Sequence, residues 1–155
     1  MKTPDEWFAE YGESHQHPVN KTLHWVCVPL IVLSLVGLMW SLPVPEAFRE
    51  ISPALNWGTT FLMAATVYYF ILSFSLAIGM LPFVVLVAVA VGWLDTLEAP
   101  LWATSLAIFV TAWAGQFAGH AWEGKKPSFF KDMQFLMIGP VWLLGFIYRR
   151  LNIPY

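Results

Sequence analysis

The chain has 155 residues, a length that predicts a single domain, but its composition is not that of a soluble globular protein. Hydrophobic residues make up 58% of the chain and charged residues 12%, whereas globular domains contain about 25% charged residues. The net charge of −2 does not indicate a kind of partner, but no basic cluster suggests nucleic acid. The single cysteine, Cys27, excludes an internal disulfide.

The first polar segment is acidic, and it contains the residues SHQHPVNKTLH directly before a long uncharged run. Pro18 suits the first turn of a helix. A helix that begins near this proline carries His17, Asn20 and His24 on one face. His15 lies in the preceding loop, which can fold back over that face.

Four long stretches of the chain contain no charged residue, namely 22–45, 51–94, 99–122 and 133–148. Uncharged apolar stretches of about 18 residues or more are typical of membrane helices. The first run is longer than the core of a signal peptide, so we expect it to be retained. We therefore predict one all-α, membrane-embedded domain over residues 1–155, with spans at about 24–42, 57–78, 81–97 and 101–122.

The connections between these spans are less regular. Gly79 and Pro82 predict a tight reversal between the second and third spans. The fifth apolar element, 133–148, is shorter than the others and contains Gly139-Pro140, so we expect a re-entrant or interfacial helix. A full crossing is the alternative, and it would put Arg149-Arg150 on the opposite side of the membrane.

The loop charges predict the orientation of the bundle, since cytoplasmic loops are enriched in lysine and arginine. An even number of spans separates the N-terminal segment from the 123–132 loop, so both lie on one side. That side carries Lys2, Lys21, Lys125, Lys126 and Lys131. The other side carries Arg49 among Glu46, Glu50, Asp95 and Glu98. The histidine-rich face is therefore expected to be cytoplasmic, in the inner membrane of a bacterium or the endoplasmic reticulum of a eukaryote.

A second polar cluster ends the fourth span. Gln116, His120 and Glu123 have the spacing i, i+4, i+7 and share one face of a helix. Imidazoles and a carboxylate with open positions suit a non-haem Fe(II) centre, and zinc accepts the same ligands. Histidines among lipid headgroups and a glutamate in a solvated loop are the simpler interpretation. The tryptophans near the span ends fit an aromatic belt.

Both polar clusters carry family motifs. The first is H-x4-N-x3-H-x4-P, formed by His15, Asn20, His24 and Pro29. The second is Q-F-x-G-H followed by a glutamate, two lysines and a proline, formed by Gln116, Phe117, Gly119, His120, Glu123, Lys125, Lys126 and Pro127. With the order of apolar segments, they resemble the membrane family of the yeast 2-hydroxy fatty acid dioxygenase of phytosphingosine breakdown, which has bacterial relatives.

The resemblance implies an Fe(II)-dependent enzyme that uses O2 to shorten a long-chain 2-hydroxy fatty acid by one carbon, as in fatty acid α-oxidation. The metal ligands that it implies are His15, His24 and His120. Asn20 and Gln116 would orient these ligands, and Glu123 would be a further catalytic residue. The family pattern has its glutamate four residues after the histidine, whereas Glu123 follows His120 by three. His17 is not fixed by the motif and ranks below the other histidines.

Other functions remain open at the level of the sequence. Lys125 or Lys126 could neutralise a substrate carboxylate, although the positive-inside rule explains both. A metal transporter would carry its ligands near the middle of the membrane, where the spans have no ionisable side chain. The main alternative is a non-catalytic protein that binds a metal or membrane lipids through interfacial histidines.

Overall fold

The computed structural model describes residues 2–124 and 135–155, and the described residues form seven α-helices and no strand. The helices are α1 (Pro4–Gly12), α2 (Pro18–Trp40), α3 (Glu46–Ile51), α4 (Trp57–Leu72), α5 (Phe74–Leu94), α6 (Leu101–Glu123) and α7 (Ile138–Leu151). The all-α class predicted from the sequence is therefore confirmed for this part of the chain.

Three helices, α2, α5 and α6, are long and apolar enough to cross a membrane. Their outer faces are apolar as well, since Val85, Leu86 and Val89 of α5 are 60–64% exposed. A soluble protein rarely exposes so continuous an apolar face. The second predicted span, at about 57–78, corresponds to α4, which is apolar but has only 16 residues. The count of four spans therefore stays a prediction.

The long helices α2 and α6 run antiparallel and in close contact. Gly37 near the end of α2 lies against Ser105 near the start of α6, and Asn20 near the start of α2 lies against Gly119 near the end of α6. Glycine is required at position 119, because a Cβ there would lie 2.4 Å from Oδ1 of Asn20. Small residues allow helix backbones in membranes to approach in this way.

The reversal predicted at Gly79 and Pro82 is wrong, because α4 and α5 are separated by Ser73 alone. Ser73 ends α4 by donating its N–H to the carbonyl of Tyr69, and its side chain accepts from the N–H of Leu76 to begin α5. Pro82 lies inside α5, as membrane helices tolerate. Gly79 is a packing site instead, since a Cβ there would lie 2.2 Å from the Tyr148 hydroxyl of α7.

The fifth apolar element is also more regular than predicted. Gly139 and Pro140 do not break α7 but lie in its first turn, where proline is tolerated. Residues 133 and 134 lie outside the described part of the chain. Helix α7 has 14 residues, which is too short to cross a bilayer, and it packs on α1, α5 and α2. This supports the interfacial interpretation of the fifth element.

Two short helices, α1 and α3, were not predicted. For α1 the sequence contains a signal of a helix start, because Thr3 and Glu6 have the spacing of a capping box and form one around Pro4. The helix packs on α7 through Phe8, whose ring lies where a Cβ on Gly145 would be. Helix α1 therefore covers the end of the bundle at which α2 begins and α6 ends.

The contact between α2 and α4 can be tested at Gly58, where a Cβ would lie 2.9 Å from the carbonyl oxygen of Val36. A backbone atom cannot rotate away, so Gly58→Ala is expected to lower the free energy of unfolding by about 1–3 kcal/mol. Gly92→Ala is the control, because a Cβ there meets nothing within 4 Å. Denaturant unfolding in detergent measures both, and equal stabilities would contradict this packing.

Candidate metal centre

The antiparallel pairing of α2 and α6 brings His24 and His120 together. His24 lies in the second turn of α2 and His120 in the last turn of α6, and their ring centroids are 5.5 Å apart. Both side chains are buried, with 1% and 3% of their surface exposed. The predicted helix start at Pro18 is confirmed, so the two motifs meet at one end of the bundle.

His15 reaches the same place from the loop between α1 and α2. The loop folds back as expected, and the His15 ring lies 4.2 Å from the His24 ring and 5.2 Å from the His120 ring. Its other face stacks on Tyr11 at 4.2 Å and 11°. His15 is 1% exposed, so three imidazoles are enclosed in one small volume.

The hydrogen bonds of His15 and His24 determine which ring nitrogen of each carries the lone pair. Nδ1 of His15 donates to the carbonyl of Tyr11 at 2.5 Å, and Nδ1 of His24 donates to the carbonyl of Asn20 at 2.9 Å. Because a carbonyl only accepts, each neutral ring carries its hydrogen on Nδ1 and a lone pair on Nε2. The two Nε2 atoms face each other at 2.8 Å. Two lone pairs repel at this distance unless a cation lies between them.

This arrangement fits a metal ion. One ligand atom from each of His15, His24 and His120 can be chosen so that all lie within 4.8 Å of one another. Nitrogen ligands bind a metal such as zinc at about 2.0–2.1 Å, so two of them on one ion lie about 2.9–3.4 Å apart, depending on whether the angle between them is a right angle or tetrahedral. The Nδ1 hydrogen bonds to backbone carbonyls are the second contacts that metal-binding histidines usually make. The buried histidines could therefore hold a metal.

Glu123 lies at the end of α6, on the face predicted from its spacing, but its oxygens point to the loop that carries His15. Oε1 accepts from the N–H of Gln16 and Oε2 from the N–H of His17, both at 2.8 Å. Oε2 also accepts from Nδ2 of Asn20 at 3.2 Å. The carboxylate thus joins α6 to the loop before α2.

The two amides predicted to orient the ligands are both buried beside the histidines. Asn20 accepts from His24 through its backbone carbonyl, and its side chain donates to the carbonyl of Ser14 and to Glu123. Gln116 lines a cavity of about 30 Å³ that His24 also lines. Within the described residues, Oε1 of Gln116 has no hydrogen-bond partner. Gln116 therefore contributes a buried acceptor without a described partner to the surroundings of His24.

His17 does not join the cluster. It caps α2, its Nδ1 accepting from the N–H of Val19, and its ring lies 6.0 Å from that of Trp122. This position agrees with the lower rank of His17 among the candidate metal ligands. Lys125 and Lys126 lie outside the described residues.

Two aromatic residues of the site, Tyr11 and Trp142, were not predicted from the sequence. Tyr11 supplies both a stacked ring and a carbonyl acceptor to His15, and Trp142 of α7 lies 5.5 Å from the same ring. The contact of Tyr11 could have been found from the sequence, because Tyr11 and His15 are four residues apart. Trp142 had no such signal, because its contact depends on how α7 packs across the bundle.

The fold and the cluster define an all-helical protein with helices that can cross a membrane and with a buried group of three histidines at one end of its bundle. The chain belongs to the 2-hydroxy-palmitic acid dioxygenase Mpo1-like family, whose sequence model matches residues 1–151. The family suggested by the two motifs is thereby confirmed. No curated protein and no solved structure is significantly similar to this chain.

The hydrogen bonds of Asn20 generate a stability prediction. In Asn20→Asp the donor amide becomes a carboxylate that faces two acceptors, the carbonyl of Ser14 and the carboxylate of Glu123. We expect the free energy of unfolding to fall by about 1–3 kcal/mol or more, since a buried charge is left unpaired. Asn20→Ala removes the donor without adding charge and should cost less. Thermal unfolding of both variants tests this, and the reverse order would contradict it.

Proposed function

We propose that this protein is an Fe(II)-dependent dioxygenase that shortens long-chain 2-hydroxy fatty acids by one carbon, a step of fatty acid α-oxidation. The observation that carries the proposal is the convergence of three buried imidazoles, at 4.2–5.5 Å between ring centroids, in a chain of the 2-hydroxy-palmitic acid dioxygenase Mpo1-like family. The family name supports the substrate class and the reaction, and the donor set supports the metal.

His15, His24 and His120 would hold the ion. Neutral imidazoles suit ferrous iron, and three protein ligands leave positions open for other molecules. When bound, Fe(II) supplies the ability to react with O2. Zinc fits the same nitrogen donors but has no redox chemistry. The dioxygenase family therefore favours iron.

The remaining residues of the site orient the ligands and exclude water. The carbonyls of Tyr11 and Asn20 keep the Nε2 lone pairs of His15 and His24 directed at one another. The rings of Tyr11 and Trp142 cover His15 from the outside. Gln116, which lines the small cavity beside His24, would contact the polar end of a substrate in this proposal. In this proposal Asn20 and Gln116 act by positioning.

An apolar groove supports a fatty acid as substrate. It has a volume of about 310 Å³ and lies between α2, α5 and α7, with Trp25, Phe83 and Leu144 among its lining residues. Volumes of about 300–1,000 Å³ are usual for small-molecule sites. Trp25 directly follows His24 in α2. At the start of α7, Pro140 lines this groove and Gly139 lines the small cavity beside His24. In this proposal a substrate with its carboxylate near the histidines would have its acyl tail in the groove, beside the membrane lipids.

The lysine distribution supports a cytoplasmic position for the site. The antiparallel pairing of α2 and α6 is consistent with this, since it keeps the start of α2 and the end of α6 on one side. A 2-hydroxy fatty acid in the cytoplasmic leaflet would then meet the site with its carboxylate at the water interface and its tail in the bilayer.

Metal binding is tested by replacing each histidine in turn. His15→Ala, His24→Ala and His120→Ala should purify folded but with little iron, because each removes one of three protein ligands. His17→Ala is the matched control and should retain its iron, since His17 caps α2 away from the cluster. Iron per protein is measured by elemental analysis after anaerobic loading. Full occupancy in any of the first three variants would remove that residue from the site.

The reaction is tested with 2-hydroxypalmitic acid, Fe(II) and O2 in detergent, and the product is identified by its mass. We expect the acid one carbon shorter, and its yield should fall in the three histidine variants. Palmitic acid lacks the 2-hydroxyl group and should react far more slowly or not at all. Equal product from palmitic acid, or equal product without oxygen, would contradict the proposed function.

A further inference from the structure

We infer that Glu123 is a positioning residue that holds His15 in the metal site through the backbone of Gln16 and His17, and that it does not bind the metal. The inference rests on the metal-binding part of the proposed function. It assigns to Glu123 a role different from that of the three histidines and from that of a group that touches the substrate.

The loop of residues 13–17 needs an external partner at this point. The N–H groups of Gln16 and His17 precede the first turn of α2, and Pro18 at the start of the helix has no N–H. The carboxylate of Glu123 accepts one hydrogen bond from each of the two N–H groups at 2.8 Å. A negative charge at the start of a helix is also favoured by the helix dipole.

His15 depends on this contact more than the other histidines do. His24 and His120 are carried by α2 and α6, whose packing fixes both rings. His15 is carried by the loop, and the neighbouring residue Gln16 is the one bound to Oε1 of Glu123. Releasing the carboxylate should therefore move His15 while leaving the other two rings in place.

The geometry separates Glu123 from the ligand atoms. Within the described part of the chain, the metal-type donors that lie within 4.8 Å of one another belong to His15, His24 and His120, and the carboxylate is not among them. Both of its oxygens are directed to the loop, and Oε2 also accepts from Asn20. The glutamate of the second motif therefore secures the first motif to α6.

A double-mutant cycle separates positioning from ligation. Glu123→Ala should weaken Co(II) or Fe(II) binding by about 10–100-fold, the usual effect of removing a group that orients a ligand. In a His15→Ala background, Glu123→Ala should weaken metal binding no further, because the histidine that Glu123 positions is absent. Affinities are measured by anaerobic metal titration. Losses that multiply in the double variant would overturn the inference, because they indicate an independent ligand.

Two controls make the cycle specific. Glu123→Gln keeps one acceptor oxygen, so it should lose less metal affinity than Glu123→Ala does. The absorption spectrum of its Co(II) complex should match that of the wild type. A changed spectrum at saturating Co(II) would indicate that a ligand was lost and would overturn the inference. Glu98→Ala, an exposed carboxylate after α5, should leave metal affinity unchanged; a comparable loss there would show that the effect is not specific to the loop contact.

Loop release has a readout that needs neither metal nor activity. In the metal-free protein, Glu123→Ala should speed cleavage after Glu13 by a glutamate-specific protease, while Glu98→Ala should not. Unchanged cleavage in Glu123→Ala would overturn the role of the carboxylate in the loop. A wild-type protein that binds no Fe(II) would contradict the proposed function, and the cleavage rates would still decide whether Glu123 holds the loop.

Discussion

The close contact between α2 and α6 is the constraint on which the rest of the structure depends. It exists because the helices meet through small residues: a Cβ on Gly37 would lie 2.2 Å from Oγ of Ser105, and one on Gly115 would lie 2.6 Å from Sγ of Cys27. Without hydrophobic driving force between helices in lipid, such packing is what holds membrane helices together. Their antiparallel course then brings the polar residues at the start of α2 to those at the end of α6, which no local property of either helix could do.

The polar cluster lies at the end of this pair rather than in its middle, and the energetics explain why. Ionisable side chains are costly inside a bilayer, and buried polar groups are tolerated when their hydrogen bonds are made. The buried side chains of His15 and His24 meet this condition through backbone carbonyls. Helix α1 and the loop after it close the site from outside, so the histidines are buried without being deep in the bundle.

Local patterns predicted the helices and faces well, and connections poorly. Pro18 marked the start of α2, and the spacing of Gln116, His120 and Glu123 marked one face of α6, because helical periodicity is a property of the segment itself. Gly79 was misinterpreted as a turn because glycine occurs both in turns and where helices pack closely. Here it leaves room for the Tyr148 hydroxyl. The capping of both helices by Ser73 carries a weaker sequence signal than a glycine and a proline do.

The sequence by itself determined the all-α class, the candidate histidines and the family, because uncharged runs and motif spacings are written in consecutive residues. Only the tertiary structure decided which groups meet. The opposed Nε2 atoms of His15 and His24, the contact of Trp142 with His15 and the hydrogen bond from Gln16 to Glu123 depend on contacts between separate elements. The last of these joins residues 107 positions apart in the chain. Such contacts arise from packing of side chains across helices, which periodicity does not encode.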